Sequence, residues 1–389
     1  MVTNESVARA RVERMVPGGL GLARIEGRVV LLPAVAPGDL VELAATGASP
    51  TVVRVVETSP DRVVPVCQDL QPCGACDLMH LSYAGQLAAK RDIVNDCLRR
   101  IGGFRDRDVG EVTPSPSPLA YRSRAAFHVT ERGSLGYLAR GTHVPIDIER
   151  CHVLTPELER HRADWSNAAV ACGTRVQTLT AVDRVLSTAD ATVDTSIVEV
   201  GGERYEAGPD SFFQANLPVA AMLVERVLRH ADPSQDDTVI DLYAGVGLFS
   251  LPLARRTGRV LAVESDIPAS ELLRRQLARE RISNVTVSVE PVEQWLRRAD
   301  RRLRATTIVT DPPRSGMSAS AVKGMVRLRP ERIVMVSCDP ATMARDLRRL
   351  VDGGYGLGEV TAFDMFPQTH HVEIVAHLRR AGDGKSVSR

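Results

Sequence analysis

The sequence predicts an α/β protein built from three parts: a small OB-like β-barrel, an irregular α+β middle domain and a doubly wound parallel sheet. Short apolar runs broken by turns occupy residues 1–58, a cysteine-bearing segment interrupted by prolines occupies 59–205, and strand and helix patterns alternate over 206–389. With 389 residues, 44% of them hydrophobic, the chain is long enough for two or three packed domains. We place the domain boundaries at these changes of pattern.

Residues 1–58 contain five short runs in which apolar and polar residues alternate. Proline-glycine turn signals at 17–19 and 37–38 separate some of these runs. Five short strands at this spacing are typical of a small barrel of OB type. Because such barrels commonly bind oligonucleotides, we expect this one to contact nucleic acid. A barrel with a purely structural role has the same pattern.

The segment 206–389 contains five candidates for buried strands, VIDLY, RVLAVE, VTVSVE, TTIVTD and RIVMVS. Helical stretches separate them, and this alternation predicts a parallel sheet covered by helices on both faces. In a doubly wound sheet, ligands bind in the crevice at the carboxyl ends of the strands. The residues that directly follow these strands are therefore the first candidates for a functional site.

A glycine-bearing loop, AGVGLF, follows the first of these strands and lets the backbone turn sharply against a ligand. Glu264 ends the next strand, nineteen positions after Gly245, where its carboxylate can accept hydrogen bonds from both hydroxyls of a ribose. The third glycine of a dinucleotide-binding loop is replaced by Ser250. This loss favours a nucleoside without phosphates, S-adenosylmethionine (SAM), over NAD as the cofactor.

Two further strand ends carry candidate reactive groups. Asp311 follows TTIVT within Asp-Pro-Pro-Arg, where two prolines restrict the backbone, so we expect its carboxylate to face the cofactor. Cys338 follows RIVMVS at another strand end and precedes a predicted helix. The positive end of a helix is expected to lower the pKa of this thiol. A cysteine of the apolar core would instead lie within the strand.

A cysteine beside a SAM site indicates methylation of an unreactive carbon. Carbon 5 of a pyrimidine is a poor nucleophile, and addition of a thiolate to carbon 6 makes it reactive. After methyl transfer, a general base must remove the hydrogen from carbon 5. Glu373, in THHVEIV at the start of a late strand, is the best candidate for this base. A solvent-facing strand glutamate would fit the same residue pattern.

The ordered motifs SFFQAN, DLYAGVG, VESD, DPPRSG, SCDP and HHVE resemble those of the RNA 5-methyluridine methyltransferases, and the resemblance covers essentially the whole chain. It implies a SAM-dependent, Rossmann-like catalytic domain, an N-terminal TRAM domain of OB type and an RNA substrate. It also implies that Cys338 is the nucleophile and Glu373 the proton acceptor. Phe212 is implied to pack against the target base or the cofactor. The implied SAM contacts are Gln214, Tyr243, Glu264 and Asp311.

Two positions depart from the family's usual pattern. Asp339 replaces the asparagine that usually follows the nucleophile, and a carboxylate at this point is expected to raise the pKa of the thiol. Leu248 occupies a position at which several relatives carry an asparagine that contacts SAM. We expect the second change to remove one cofactor contact and to leave the activity in place.

Four of the seven cysteines form a pattern typical of a metal site. Cys67, Cys73 and Cys76 have the spacing C-x5-C-x2-C, and Cys151 lies downstream. Four thiolates accept either zinc or an iron–sulfur cluster, so the residues alone leave the metal open. The resemblance implies a 4Fe–4S cluster, because one branch of the family carries this pattern with such a cluster. Methyl transfer from SAM moves no net electrons, so we expect a structural or RNA-contacting role.

Charge and cysteine usage limit the partners and the compartment. With 49 basic and 48 acidic residues, an RNA surface must come from local clustering, for which Arg122 and Arg124 in YRSR are candidates. No segment is typical of a signal peptide or of a membrane-spanning helix, and seven cysteines in a chain of this length do not indicate a disulfide scaffold. We predict a cytoplasmic monomer that binds RNA and no membrane. Lysine occurs only at Lys90, Lys323 and Lys385, which we interpret as coding bias towards arginine.

The favoured hypothesis is methylation of uridine in large-subunit (23S) ribosomal RNA, with transfer RNA as the alternative substrate. A cytosine-C5 methyltransferase would usually carry a cysteine in the loop occupied by Asp-Pro-Pro-Arg. An amino-nitrogen methyltransferase would explain the paired prolines but would leave Cys338 without a role. An NAD-linked oxidoreductase with an iron–sulfur centre lacks support from the glycine loop, and a non-catalytic RNA-binding protein is the remaining alternative.

Overall fold

The computed structural model describes residues 7–44, 51–166, 169–190, 194–300 and 302–382. The outer ends of the first and third predicted domains, 1–6 and 383–389, lie outside the described residues, as does Lys385. No helix in the described ranges combines the length and the apolar character needed to cross a membrane.

The five strands predicted for the N-terminal part are all present. They are β1 (Val7–Val16), β2 (Leu20–Ile25), β3 (Arg28–Leu32), β4 (Leu40–Ala44) and β5 (Thr51–Glu57). They form one antiparallel sheet in the order β3-β2-β1-β4-β5 around a small apolar core that includes Val12, Leu32 and Val41. Among the residues described, no strand pairing joins β3 to β5, so the hydrogen-bonded ladder does not close the predicted barrel.

The middle part opens with the cysteine-bearing segment and continues into a long helix that the sequence patterns do not predict, α1 (Tyr83–Arg100). The hydroxyl of Ser82 caps its first turn by accepting from the Gly85 N–H at 3.0 Å, and Arg99 and Arg100 complement the negative end of the helix dipole. Its apolar face packs with the helices of the C-terminal sheet. Helix α1 therefore connects the middle part to the C-terminal part.

After α1, the middle part forms a second antiparallel sheet, which contains the hairpins predicted around RSRAAFHV. Its strands are β6 (Arg124–Val129), β7 (Leu135–Leu138), β8 (Pro145–Ile146), β9 (Arg175–Thr180) and β10 (Val185–Ser187), in the order β10-β9-β6-β7-β8. The rest of this part consists of the helix α2 (Pro156–Ala163) and a hairpin of β11 (Ser196–Val200) and β12 (Glu203–Ala207).

The C-terminal part is a seven-stranded sheet in which the five predicted strands run parallel. Its strands are β13 (Thr238–Leu242), β14 (Arg259–Glu264), β15 (Val285–Val289), β16 (Thr307–Thr310), β17 (Arg332–Ser337), β18 (Tyr355–Phe363) and β19 (Glu373–Arg380). The order is β15-β14-β13-β16-β17-β19-β18, with β19 antiparallel to both of its neighbours. The connecting helices are α3 (Leu217–Ala231), α4 (Ser250–Ala254), α5 (Ile267–Arg279), α6 (Val292–Arg298), α7 (Ala319–Leu328) and α8 (Pro340–Asp352).

Apolar side chains cover both faces of this sheet, as expected for a doubly wound fold. Alternate residues of the strands point to opposite sides, so that Val239 packs with α3, α4 and α5 while Ile240 packs with α1, α6, α7 and α8. Both side chains are fully buried. The sheet is therefore a rigid support for the residues at its edge.

Candidate active site

Strand register brings the candidate residues to one edge of the C-terminal sheet. Leu242 at the end of β13 pairs with Thr310 at the end of β16, so the residues that follow them emerge side by side. At the end of β17, Ser337 pairs with Ile374 of the antiparallel strand β19. Chain segments leaving β17 and entering β19 thus meet at the same edge, which places Cys338 next to Glu373.

The candidate site residues at this edge line one cleft of about 650 Å³, a size typical of small-molecule sites. Three side chains without an assigned catalytic role, Phe212, Arg314 and Phe366, also line it. Phe366 follows β18 and lies outside the quoted motifs, so the sequence does not predict it as a site residue. The cleft contains all six residues predicted to bind SAM or to perform chemistry: Gln214, Tyr243, Glu264, Asp311, Cys338 and Glu373.

The glycine loop after β13 is held against the end of β14. Gly245 has a φ of 55° and donates its N–H to Oε2 of Glu264 at 2.8 Å. The other carboxylate oxygen of Glu264 accepts from the N–H groups of Ser265 and Asp266 at 2.6 and 2.7 Å. A Cβ at Gly247 would lie 2.5 Å from the side chain of Leu273, so only glycine allows this close approach to α5. The three backbone hydrogen bonds therefore hold the carboxylate of Glu264, at the end of β14, in place.

Two of the carboxyl groups that line the cleft, those of Asp311 and Glu373, have raised pKa values. Burial raises the pKa of Asp311 to about 7. Burial, followed by the nearby charge of Asp311, raises the pKa of Glu373 well above its usual range, and Arg314 opposes that shift. Glu373 is only 3% exposed. The ionised form of a carboxyl with a raised pKa is a stronger base than a carboxylate in water, which suits that form to accept a proton from carbon.

The thiol of Cys338 has a raised pKa, so the expected lowering by the helix N-terminus is wrong. Burial raises the pKa of this thiol to about 11, the carboxyls of Glu373 and Asp311 add to the shift, and the guanidinium of Arg314 opposes it. Desolvation and two acidic neighbours outweigh the helix dipole at this position. The free protein therefore holds Cys338 mainly as a thiol at neutral pH.

This raised pKa predicts a steep pH dependence for alkylation of Cys338 by iodoacetamide. Because only the thiolate reacts, we expect the rate to rise about tenfold for each pH unit between about pH 7 and 9. The measurement is quantification of the alkylated Cys338 peptide by mass spectrometry, with the exposed Cys172 as an internal reference for the reagent. A plateau in the Cys338 rate within that range would contradict the raised pKa.

Arg314 is anchored beside the thiol by a histidine. Its Nη2 lies 3.3 Å from Nε2 of His371, and an arginine can only donate, so Nε2 of His371 accepts. The imidazole must therefore be neutral. Burial, followed by the neighbouring His370 and Arg314, lowers the pKa of His371 to about 3, consistent with a neutral ring. The contact that holds the guanidinium near Cys338 therefore does not depend on protonation of His371 at neutral pH.

The two departures from the family pattern both have structural roles outside the reacting groups. Asp339 is the N-cap of α8, and its Oδ1 accepts from the Thr342 N–H at 2.8 Å. Its carboxylate is therefore engaged by the helix that follows the nucleophile. Leu248 is buried in the apolar core, and its carbonyl accepts from the hydroxyl of Tyr205 at 3.0 Å.

A second, basic pocket of about 200 Å³ adjoins the cleft and shares Phe212, Gln214 and Phe366 with it. Arg122 and Arg124 both line this pocket. Their guanidinium carbons lie 5.9 Å from the ring centre of Phe366 and 5.7 Å from that of Phe212, respectively. Basic and aromatic side chains together are the surface that unpaired nucleotides use.

The four cysteines of the predicted metal site line a single small cavity, together with Met79, Tyr137 and other residues. Within the described ranges, no set of three or more histidine, cysteine or acidic side chains is arranged to hold a single metal ion. Burial raises the pKa of the Cys76 thiol to about 12. Four free thiols around one cavity are the kind of donor set that an iron–sulfur cluster uses.

Fold and site together define a SAM-dependent methyltransferase, and known proteins of this kind match the chain. The profile of the tRNA (uracil-5-)-methyltransferase family matches residues 180–381. An uncharacterized RNA methyltransferase of Gloeobacter violaceus is 31% identical, covering 95% of this chain and 96% of its own length. One from Thermotoga maritima is 30% identical, covering 95% and 98%.

A solved structure also matches 95% of the chain. The tRNA (uracil-54, C5)-methyltransferase of Pyrococcus abyssi, in complex with S-adenosyl-L-homocysteine, superposes with a TM-score of 0.74 and 25% identity, covering 95% of this chain and all of its own. The protein belongs to the tRNA (uracil-5-)-methyltransferase family. It is a SAM-dependent RNA uracil-C5 methyltransferase.

Proposed function

We propose that the protein methylates carbon 5 of a uridine in 23S ribosomal RNA through a transient covalent adduct between Cys338 and carbon 6. The observation that carries the mechanism is the pairing of Ser337 with Ile374, which places a thiol and a buried carboxyl together in the cofactor cleft. Neither group is needed for direct methylation of an amine or a hydroxyl, whereas carbon 5 of uracil needs both.

The cleft contains one side chain for the addition to carbon 6 and one for the removal of the proton from carbon 5. The thiol of Cys338 first gives up its proton to solvent. Its sulfur then forms a bond to carbon 6 of the uracil, and the electron pair of the double bond between carbons 5 and 6 moves to carbon 5 and the O4 oxygen. SAM, when bound, supplies an activated methyl group to carbon 5. Glu373 then accepts the proton from carbon 5, and the electron pair of that C–H bond restores the double bond between carbons 5 and 6 as the Cys338 sulfur leaves. Side chains proposed to hold the cofactor are Gln214, Tyr243, Glu264 and Asp311.

Arg122 and Arg124 are proposed to guide the RNA into the cleft. The target uridine must leave any stack or helix for carbon 6 to reach Cys338. The basic pocket beside the cleft offers positive charge for phosphates and the exposed ring of Phe212 for a base. Phe212, which is 67% exposed, stands where the two pockets meet.

We further propose that Cys67, Cys73, Cys76 and Cys151 bind a 4Fe–4S cluster in a structural role. All four line the same cavity, and thiolates are the usual ligands of such clusters. The guanidinium of Arg140 donates to the carbonyls of Cys73 and Cys76 at 3.0 and 2.5 Å, which braces the loop between these ligands. Thiolate ligands and an RNA substrate are consistent with a reducing, cytoplasmic location. The monomeric state stays a prediction.

Replacement of Cys73 by serine tests the cluster. We expect protein purified without air to be brown, with about four irons and four sulfides per chain, and the variant to lose most of both. Iron and sulfide analysis with a visible absorbance spectrum is the measurement. Cys172→Ser, which changes an exposed cysteine away from this cavity, should keep the colour. A colourless wild-type protein that contains zinc would reject the cluster.

The RNA class is tested by incubating the protein and SAM separately with unmodified ribosomal RNA and with unmodified transfer RNA. The similar protein of Pyrococcus abyssi acts on uracil 54 of transfer RNA, which makes transfer RNA the second candidate. Digestion and nucleoside mass spectrometry should find 5-methyluridine in the ribosomal pool. Product in the transfer RNA pool alone would overturn the ribosomal assignment and leave the reaction intact.

A further inference from the structure

The loop between β18 and β19, residues 364–372, delivers two groups to the active site. Phe366 lines both the cofactor cleft and the basic pocket, and Glu373 directly follows the loop. The apolar side chains of Met365 and Val372 pack into the cores on the two faces of the sheet. Several polar groups of the loop are instead held by residues of the middle part, more than two hundred positions earlier in the chain.

Lys90 on α1 makes the most enclosed of these contacts. Its ammonium forms an ion pair with Oδ1 of Asp364, and both side chains are 0% exposed. The same Nζ donates to the carbonyl of Phe366 at 3.0 Å. A charge without access to water is tolerated only where partners surround it, so this geometry is tightly specified. One side chain thus fixes two points of the loop.

Two further side chains of the middle part support the same loop. Gln86, one turn before Lys90 on α1, donates to Oε1 of Gln368 at 3.0 Å and accepts from the Gln368 N–H at 2.9 Å. The hydroxyl of Tyr121 donates to the carbonyl of Pro367 at 2.9 Å. The peptide groups from 366 to 368 are therefore held from one side by α1 and its neighbours.

Position 90 carries a lysine, although nearly all basic residues of this chain are arginines. Lysine occupies only three of the 49 basic positions. Of the two that are described, Lys323 is exposed on α7 and Lys90 is fully enclosed. An ammonium is a compact point charge, whereas a guanidinium is a wide planar group with five donors to satisfy. The buried site next to Asp364 fits the smaller cation.

We propose that Lys90 is a positioning residue for methyl transfer: it holds the loop 364–372 so that Phe366 and Glu373 stand correctly at the cleft. This inference rests on the proposed function, because it takes Glu373 as the proton acceptor. Lys90 itself does not line the cleft. A change at Lys90 should therefore slow the steps that use the loop and leave SAM binding intact, because the proposed SAM contacts all lie outside the loop.

The test compares wild type with Lys90→Met and with the double variant Lys90→Met/Asp364→Leu. The double variant replaces the ion pair by two apolar side chains, a change that buried pairs often tolerate without loss of stability. We expect both to bind SAM like wild type and kcat for 5-methyluridine formation to fall about 10²-fold, as small misplacements of reacting groups do. The share of protein trapped as the RNA adduct should rise, because proton removal is slowed.

Lys323→Met is the matched control, since it makes the same chemical change on an exposed surface, and it should have wild-type kinetics. A double variant with wild-type kcat would overturn the proposal. So would loss of SAM binding together with activity, because Lys90 would then support the whole domain and not the loop. Failure of the proposed function is distinguishable, since wild type would then form no adduct at all.

Discussion

Replacing Cys338 with alanine should abolish both the methylation of RNA and the formation of a covalent protein–RNA species. Without the thiol, carbon 5 of the uracil stays a poor nucleophile, and we expect the rate of 5-methyluridine formation to fall by at least about 10⁴-fold. SAM binding should remain close to that of wild type, because the glycine loop and Glu264 are held by contacts that do not involve Cys338. Nucleoside mass spectrometry and isothermal titration calorimetry measure the two effects.

Cys172→Ala is the control for this variant, since it removes an exposed thiol that lies outside the cleft. It should methylate RNA at the wild-type rate. Residual methylation by Cys338→Ala at more than a few per cent of the wild-type rate would rule out Cys338 as the obligatory nucleophile.

Replacing Glu373 with glutamine should trap the methylated adduct. The amide keeps the shape of the side chain at the start of β19 but cannot accept the proton from carbon 5, so the Cys338 sulfur cannot leave. We expect turnover to fall by about 10²- to 10⁴-fold, while a protein–RNA species that survives denaturation accumulates. Denaturing gel electrophoresis with labelled RNA measures the adduct.

The matched control is Glu225→Gln, which changes an exposed glutamate of α3 and should show neither effect. Normal turnover by Glu373→Gln, or slow turnover without the trapped species, would assign proton removal to another group. Asp311 is the carboxyl to test next, because it faces the same cleft and its pKa is raised to about 7.

The sequence predicts the edge of the sheet on which the site lies, because each of four site residues ends or follows a recognisable strand. Tyr243, Glu264, Asp311 and Cys338 occupy the carboxyl ends of parallel strands, and this rule needs only the order of the elements. Glu373 is different. Its nearness to Cys338 depends on β19 running antiparallel to β17 in one register, and residue patterns do not specify which strand a late hairpin pairs with.

Other features depend on contacts between distant parts of the chain, which no local pattern contains. The pKa of Cys338 rises because burial and the carboxyls of Glu373 and Asp311 act together, and these two carboxyls are distant from Cys338 in the sequence. Lys90 lies 274 positions from Asp364, and the helix that carries it was not predicted. The five N-terminal strands were predicted, but their spacing does not determine whether the sheet closes into a barrel.

The central claim is that Cys338 and a uridine are joined during catalysis, and wild-type protein with RNA containing 5-fluorouridine tests it most directly. Fluorine at carbon 5 cannot be removed as a proton, so the reaction should stop after methyl transfer with the RNA attached. Tandem mass spectrometry of the digested complex should find a methylated fluorouridine on the peptide that contains Cys338. Methylation of ordinary uridine in the same RNA, with no adduct at Cys338 to the fluorinated base, would contradict the account.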